Sequence, residues 1–308
     1  MPKKNRPARP PQKSRSPRKP DAAGREERGG RRSGPDFVRA AGSGTRGGGP
    51  RPRPRPRAGH AFHRAPPSQE RMHELLERAG IALSKSQLDR LWQFDQLLRR
   101  RNQDRDLTRL IEFESVVVKH YVDSMIVGQF LDLPSPLVDV GTGAGFPGIP
   151  IKIRYPQLDL TLAEQRPRRI TFLQEAIAAL GFEHARTFKQ RVVSRSFTTP
   201  MRGVITRAVE PIGKTMLRTS GCTRAGSLLI FMKGPGVDEE LAAAKREFAS
   251  DYRLQLDRAY KLPHTPFERR LVVFERLTDP ELSAVAGDEG LDESPETVDA
   301  DEEQELER

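Results

Sequence analysis

The stretch Leu137 to Pro150, LVDVGTGAGFPGIP, constrains this chain more than any other. An apolar run ends in an acid and then in glycines at positions 141, 143, 145 and 148. This reads as a strand that breaks into a glycine loop and opens a helix, an arrangement whose backbone N–H groups and helix N-terminus cradle a nucleotide-like group. A backbone that must turn sharply at positive φ and lie flat against a ligand has no room for a Cβ. About nineteen residues after Gly145, a second apolar segment, LDLTLAE, closes on Glu164. That is the spacing at which a carboxylate accepts hydrogen bonds from the two hydroxyls of a ribose.

Two registers fit the glycines. Gly143, Gly145 and Gly148 satisfy the dinucleotide pattern G-x-G-x-x-G, whereas Asp139, Gly141, Gly143 and Gly145 satisfy the acid-x-G-x-G-x-G loop of methyltransferases that use S-adenosylmethionine. In the dinucleotide pattern the first glycine follows the strand directly. Here Gly141 does so and Gly143 comes two residues later. Either ligand carries a ribose, and Glu164 serves both.

Composition divides the chain into three. Residues 1–66 hold 19 Lys+Arg against 4 Asp+Glu in a Pro-, Gly- and Ser-rich background, and from residue 278 onward 13 Asp+Glu face a single arginine. Neither end can bury enough apolar surface to offset its chain entropy, so both are expected to be disordered. Residues 67–277 keep 33 Lys+Arg and 25 Asp+Glu, a net +8, and are long enough for one packed domain. The tract RPRPRPR at 51–57 suits phosphate contacts without sequence preference, or serves only to solubilise. One cysteine, Cys222, leaves no disulfide framework and no cysteine-based metal site. No apolar run of membrane-spanning length and no signal-type h-region occurs, so the expectation is a cytoplasmic protein with no membrane contact, no metal and no evident stable protein partner.

Within the domain, residues 67–133 read as a helical cap. Ser68 caps a first helix that Gly80 stops. Ser84 and Gln87 form a capping-box pattern before a second helix that runs to Arg99–Arg101. A third, about 114–130, turns Val117, Val118, Tyr121, Val122 and Met125 inward. From 134 to 277 strand and helix alternate, which implies a doubly wound parallel sheet. The polar segment Tyr252 to Lys261 and the strand Arg270 to Leu277 have no helix between them, so a late hairpin puts one antiparallel strand into the sheet. The fold class is therefore α/β: a Rossmann-like, seven-stranded, mostly parallel methyltransferase sheet with an N-terminal helical cap.

These segments resemble the bacterial small-subunit (16S) rRNA guanine-N7 methyltransferase family, also called RsmG or glucose-inhibited division protein B. Five stretches between about residues 70 and 277 carry the resemblance: DLTRLIEFESVVVKHYVDS at 106–124, DVGTGAGFPGIP at 139–150, LAEQRPRRITFL at 162–173, VITRAVEP at 204–211, and FMKG with ERRLVVFE at 231–234 and 268–275. The resemblance implies S-adenosylmethionine as cofactor and small-subunit rRNA or a ribosomal particle as partner. It also implies that Gly141 and Phe146 contact the cofactor, that Val192 and Val193 offer backbone and apolar contact to its adenine, and that Arg207 lies beside its methionine end. Phe146 reads equally as a core residue holding the loop down. The chain departs from the family pattern at Asp106, where asparagine is usual, at Val193, where an acid is usual, and at Met201-Arg202, where Phe-Asp is usual.

Guanine N7 has an in-plane lone pair and no proton, so methyl transfer to it is an in-line displacement that needs positioning and no general base. Positive charge passes to the purine, and a cation beside N7 would oppose this by about 4 kcal/mol at about 4 Å and an effective dielectric of about 20. Basic residues are therefore expected on phosphate: Lys233, Arg269, Arg168 and Arg169, the last two reading equally as a solvated helix face. His120 and Asp123, one helical turn apart, read as a capping or helix–sheet contact. Two rivals stay open: a dinucleotide-dependent oxidoreductase, and a ribosome- or RNA-binding protein that keeps the fold without catalysis.

Overall fold

The computed structural model describes residues 66–280. The two charged tails therefore lie almost wholly outside the described residues. In chain order the cap comprises α1 (Gln69–Arg78), α2 (Lys85–Arg105), and a compound helix made of α3 (Phe113–Val116), a π-helical turn (Val117–Val122) and α4 (Asp123–Ile126). The rest is β1 (Leu137–Val140), α5 (Gly148–Arg154), β2 (Leu160–Ala163), α6 (Pro167–Ala179), β3 (Ala185–Phe188), β4 (Met201–Arg207), α7 (Ile212–Thr219), β5 (Thr223–Lys233), α8 (Asp238–Glu247), β6 (Tyr252–Lys261) and β7 (Glu268–Arg276).

The seven strands form one sheet in the order β3-β2-β1-β4-β5-β7-β6. The first five are parallel, β7 runs antiparallel to β5, and β6 pairs antiparallel with β7. The expected hairpin is present, and its first arm is the polar segment Tyr252–Lys261. A dinucleotide-binding sheet of order 3-2-1-4-5-6 has no such inserted strand.

Successive strand residues point to opposite faces, and the two hydrophobic clusters divide accordingly. Leu137, Ile205, Ile230, Met232, Leu271 and Val273 join the cap, α5 and α6 in one. Val138, Val204, Leu229, Phe231, Val272 and Phe274 join α7 and α8 in the other. The sheet is thus apolar on both sides, as a central parallel sheet must be.

The cap starts as its sequence dictates. Ser68 Oγ accepts from Arg71 N, and Ser84 and Gln87 form the full capping box. Helix α2 runs past the basic cluster to Arg105 because Asp106 closes it in the left-handed region at φ 48°, a conformation aspartate and asparagine tolerate best. The third helix differs from expectation. Its middle is a π turn; Lys119, His120 and Asp123 are buried, while Val118 is only half-buried.

Asp95 of α2 is fully buried and accepts hydrogen bonds from Tyr121 Oη (2.8 Å) and Arg99 Nε (2.6 Å). It joins α2 to the compound helix. Removing the phenol hydroxyl in Tyr121→Phe leaves that carboxylate short of a donor, and the expected loss of about 1–3 kcal/mol is read as a lower denaturation midpoint at unchanged slope.

Candidate functional site

At the end of β1 the chain turns through Gly141 (φ 71°), Gly143 (φ 58°) and Gly145 (φ 95°) before entering α5. The loop is tied to the neighbouring strand: Gly141 N and Thr142 N both donate to Ala163 O, at 3.0 and 3.1 Å. A Cβ at Gly145 would come within 2.4 Å of Ile149, and one at Gly148 within 2.4 Å of Leu162 and 2.7 Å of Asp139 Oδ2. Those glycines serve internal packing. Gly143 differs, because its missing Cβ faces open space bounded only by Arg169 Nη1 at 3.6 Å. The loop sits between β1 and β4, where the strand order reverses and α/β sheets bind ligands at the strands' carboxyl ends.

Asp139 acts beneath this loop. Its Oδ2 accepts from Thr142 Oγ1 (2.6 Å) and Gly148 N (2.8 Å), and its Oδ1 is buried with no hydrogen-bond partner. Burial pushes its carboxyl up to about 7, against the pull of those two donors and of Arg207. Asp139 therefore shapes the loop from below and presents no exposed surface to a ligand.

Glu164 follows β2. Its Oε1 accepts from Gln165 N and Arg166 N, and Oε2 lies 3.7 Å from Arg169 Nη1. The same guanidinium borders Gly143, so the open side of the loop and the predicted ribose carboxylate share one neighbour. Val192 is buried and Val193 is exposed. Val193 N donates to Ser196 Oγ, and its carbonyl accepts from Ser196 N and Cys222 Sγ. The backbone contact implied for Val193 is thus already taken, and its side chain is what it offers.

Arg207, at the end of β4, lies nine-tenths buried among cap residues. Its Nη1 donates to Lys119 O (3.1 Å) and reaches Asp123 Oδ2 (3.4 Å), and Nη2 is 3.1 Å from His120 Nδ1. An arginine can only donate, so His120 Nδ1 accepts and the ring proton sits on Nε2, facing Thr108 Oγ1 at 3.1 Å. Burial and the adjacent Arg207 hold the imidazole well below its ordinary pKa. The ring stacks on Phe146 at 4.3 Å, and Phe146 is itself buried against Phe94 and Tyr121. Its core role is realised. His120 and Asp123 do make a helix–sheet contact, and its partner is Arg207. Two members were not foreseen: Tyr260 Oη donates to Asp123 Oδ1 (3.1 Å), and Ala208 adopts φ 50° just beyond β4.

The basic residues expected on phosphate are placed otherwise. Lys233 Nζ donates to Glu210 O (2.7 Å) and pairs with Glu240, because a cation ending a buried strand must be compensated. Arg269 is 4% exposed, its Nε 3.5 Å from Asp123 Oδ2, with Nε and Nη2 lacking hydrogen bonds. Arg169 faces Glu164, and only Arg168 is solvated. Among the described residues no cluster of His, Cys, Asp and Glu could hold a metal, and no helix is long and apolar enough to cross a membrane.

Because the folded state holds the Asp139 proton more tightly than the unfolded chain does, that group's contribution to stability is full below about pH 4 and is lost as pH rises through about 7. His120, depressed when folded, contributes oppositely: its share is full above about pH 6.5 and is lost on acidification. Asp139→Asn removes the first effect and keeps the second. Wild type should therefore gain stability relative to Asp139→Asn as pH falls from about 8 to about 5, measured as paired denaturation midpoints.

The sequence model of the family described as GidB, rRNA small subunit methyltransferase G, matches residues 87–265. The ribosomal RNA small subunit methyltransferase G 2 of Syntrophobacter fumaroxidans is 47% identical over 216 residues, 70% of this chain and 43% of that one, so the match spans less than half of that relative. The protein of the same name from Bdellovibrio bacteriovorus is 41% identical over 68% of this chain and 82% of its own length. Ribosomal RNA small subunit methyltransferase G of Carboxydothermus hydrogenoformans is 33% identical over 64% of this chain and 87% of its own. The chain belongs to the rRNA small subunit methyltransferase G family.

Proposed function

We propose that this chain transfers a methyl group from S-adenosylmethionine to N7 of a guanine in small-subunit rRNA. Gly143 and Glu164 are the residues that fit the cofactor. The loop leaves open the space that a Cβ at Gly143 would fill, and Glu164 stands across Arg169 from it, placed for ribose hydroxyls. Gly141 and Gly145 hold the loop's turn, and Val192 with Val193 supplies the apolar wall expected beside an adenine. When bound, the cofactor supplies an electrophilic methyl on a sulfonium.

The observation that carries the acceptor is what surrounds Arg207. His120 commits its free lone pair to Arg207, and Asp123 is committed to Tyr260 and two arginines. Neither can take a proton from a substrate. Such a site suits an acceptor that has none to give, and guanine N7 is one. The residues thus bind, orient and exclude water, which is the whole requirement of an in-line displacement.

Titration calorimetry should show S-adenosylmethionine binding and no NADH binding. Small-subunit rRNA treated with the protein and cofactor should break at a 7-methylguanosine after reduction and aniline. Cofactor binding without scission would make the chain a non-catalytic RNA-binding protein. In Gly143→Val the added side chain enters the open face of the loop, so cofactor affinity should fall by more than about tenfold, about 1.4 kcal/mol, while the denaturation midpoint moves less than for Gly145→Val. Retained affinity would place the cofactor elsewhere.

A further inference from the structure

A cavity of about 90 Å³ opens at the carboxyl ends of β4 and β5, beside Arg207 and Ala208, and carries on to α8. Five charged side chains line it, and four are almost fully buried. Asp123 is 1% exposed beneath Arg207 and Arg269, and Lys233 is bound to Glu210 O and Glu240. The fifth, Glu240, is one-third exposed. Its carboxylate is fixed from two sides: Ile212 N donates to Oε2 at 2.8 Å, and Lys233 Nζ stands 3.2 Å from Oε1 and 3.1 Å from Oε2. A carboxylate has about four acceptor positions, and these contacts leave some unused. At Gly234 and Gly236, which also line the cavity, a Cβ would meet nothing within 4 Å, so that wall is open.

Building on the proposed activity, we infer that Glu240 is the specificity-determining residue that selects guanine, by accepting hydrogen bonds from N1–H and the exocyclic N2 amine of the target base. These two parallel donors match one carboxylate. Adenine offers an acceptor at N1 and would set it against the negative charge. N7 lies on the opposite edge of the purine, so a base held by Glu240 turns N7 away from α8. The contact also grows stronger as the reaction proceeds. Methylation at N7 makes the ring cationic and N1–H more acidic, so a carboxylate on that edge stabilises the transition state more than the ground state. Lys233 pairs with Glu240 and fixes its direction, which is the use this structure makes of its charge.

The test measures methyl transfer to small-subunit rRNA by the full chain, with 5′-mononucleotides as competitors. Glu240→Gln should lower kcat/KM by about 10- to 100-fold while calorimetric affinity for S-adenosylmethionine stays within about twofold. With wild type, 7-methyl-GMP should compete better than GMP, GMP better than IMP, which lacks the N2 amine, and AMP least. Glu240→Gln should lose the preference for 7-methyl-GMP, a readout that a purely structural role would not move. Wild type competing equally with AMP and GMP, or Glu240→Gln keeping wild-type kcat/KM, would overturn the role of Glu240 and leave the methyltransferase reading standing. Absence of 7-methylguanosine with wild type would overturn that reading instead.

Discussion

The guanidinium of Arg207 is the point on which the site depends. It ends β4 in a nearly dry environment, where an unpaired charge would cost several kcal/mol, and its hydrogen-bond partners come from the compound helix of the cap: Lys119 O, His120 Nδ1 and Asp123. The same helix residue, His120, lies flat against Phe146 of the glycine loop. One set of contacts therefore fixes three parts at once, the cap, the fourth strand and the bend after the first. Lys119, His120 and Asp123 reach Arg207 together because they share one face of that helix, and all three are buried.

Charge within the site is arranged in layers. Asp139 sits under the loop with one oxygen bonded and one bare, and burial raises its carboxyl to about 7. Asp123 sits under the cavity between two arginines and a phenol. Both acids do structural work, and the ones nearer the surface, Glu164 and Glu240, are held by backbone N–H groups that fix their direction. Carboxylates oriented in this way lose little freedom when a ligand arrives, which is what preorganisation requires.

The local features were legible in the sequence and the long-range ones were not. Alternation of side chains across β1, β4, β5 and β7 fixes the two-sided core, and Ser84 with Gln87 announces α2, because these signals live within a few residues. The glycine loop and Glu164 were legible for the same reason. The π turn was not, since VVKHYV has the spacing of an ordinary helix, and Val118 was accordingly read as buried. Lys233 and Arg269 read from the sequence as phosphate contacts, whereas in the fold they face Glu240 and Asp123, partners set by packing. Tyr260 could not have been assigned from pattern at all: it lies in a polar strand 137 residues from the carboxylate it serves.

That long separation has a consequence for how the molecule is completed. Asp123 receives its phenol from β6 and its second arginine from β7, the last two strands of the sheet. A nascent chain halted after β5 would own the glycine loop, Glu164 and Arg207, yet its central acid would stand without half of its neighbours. Docking of the closing hairpin is thus the step that finishes the interior of the site.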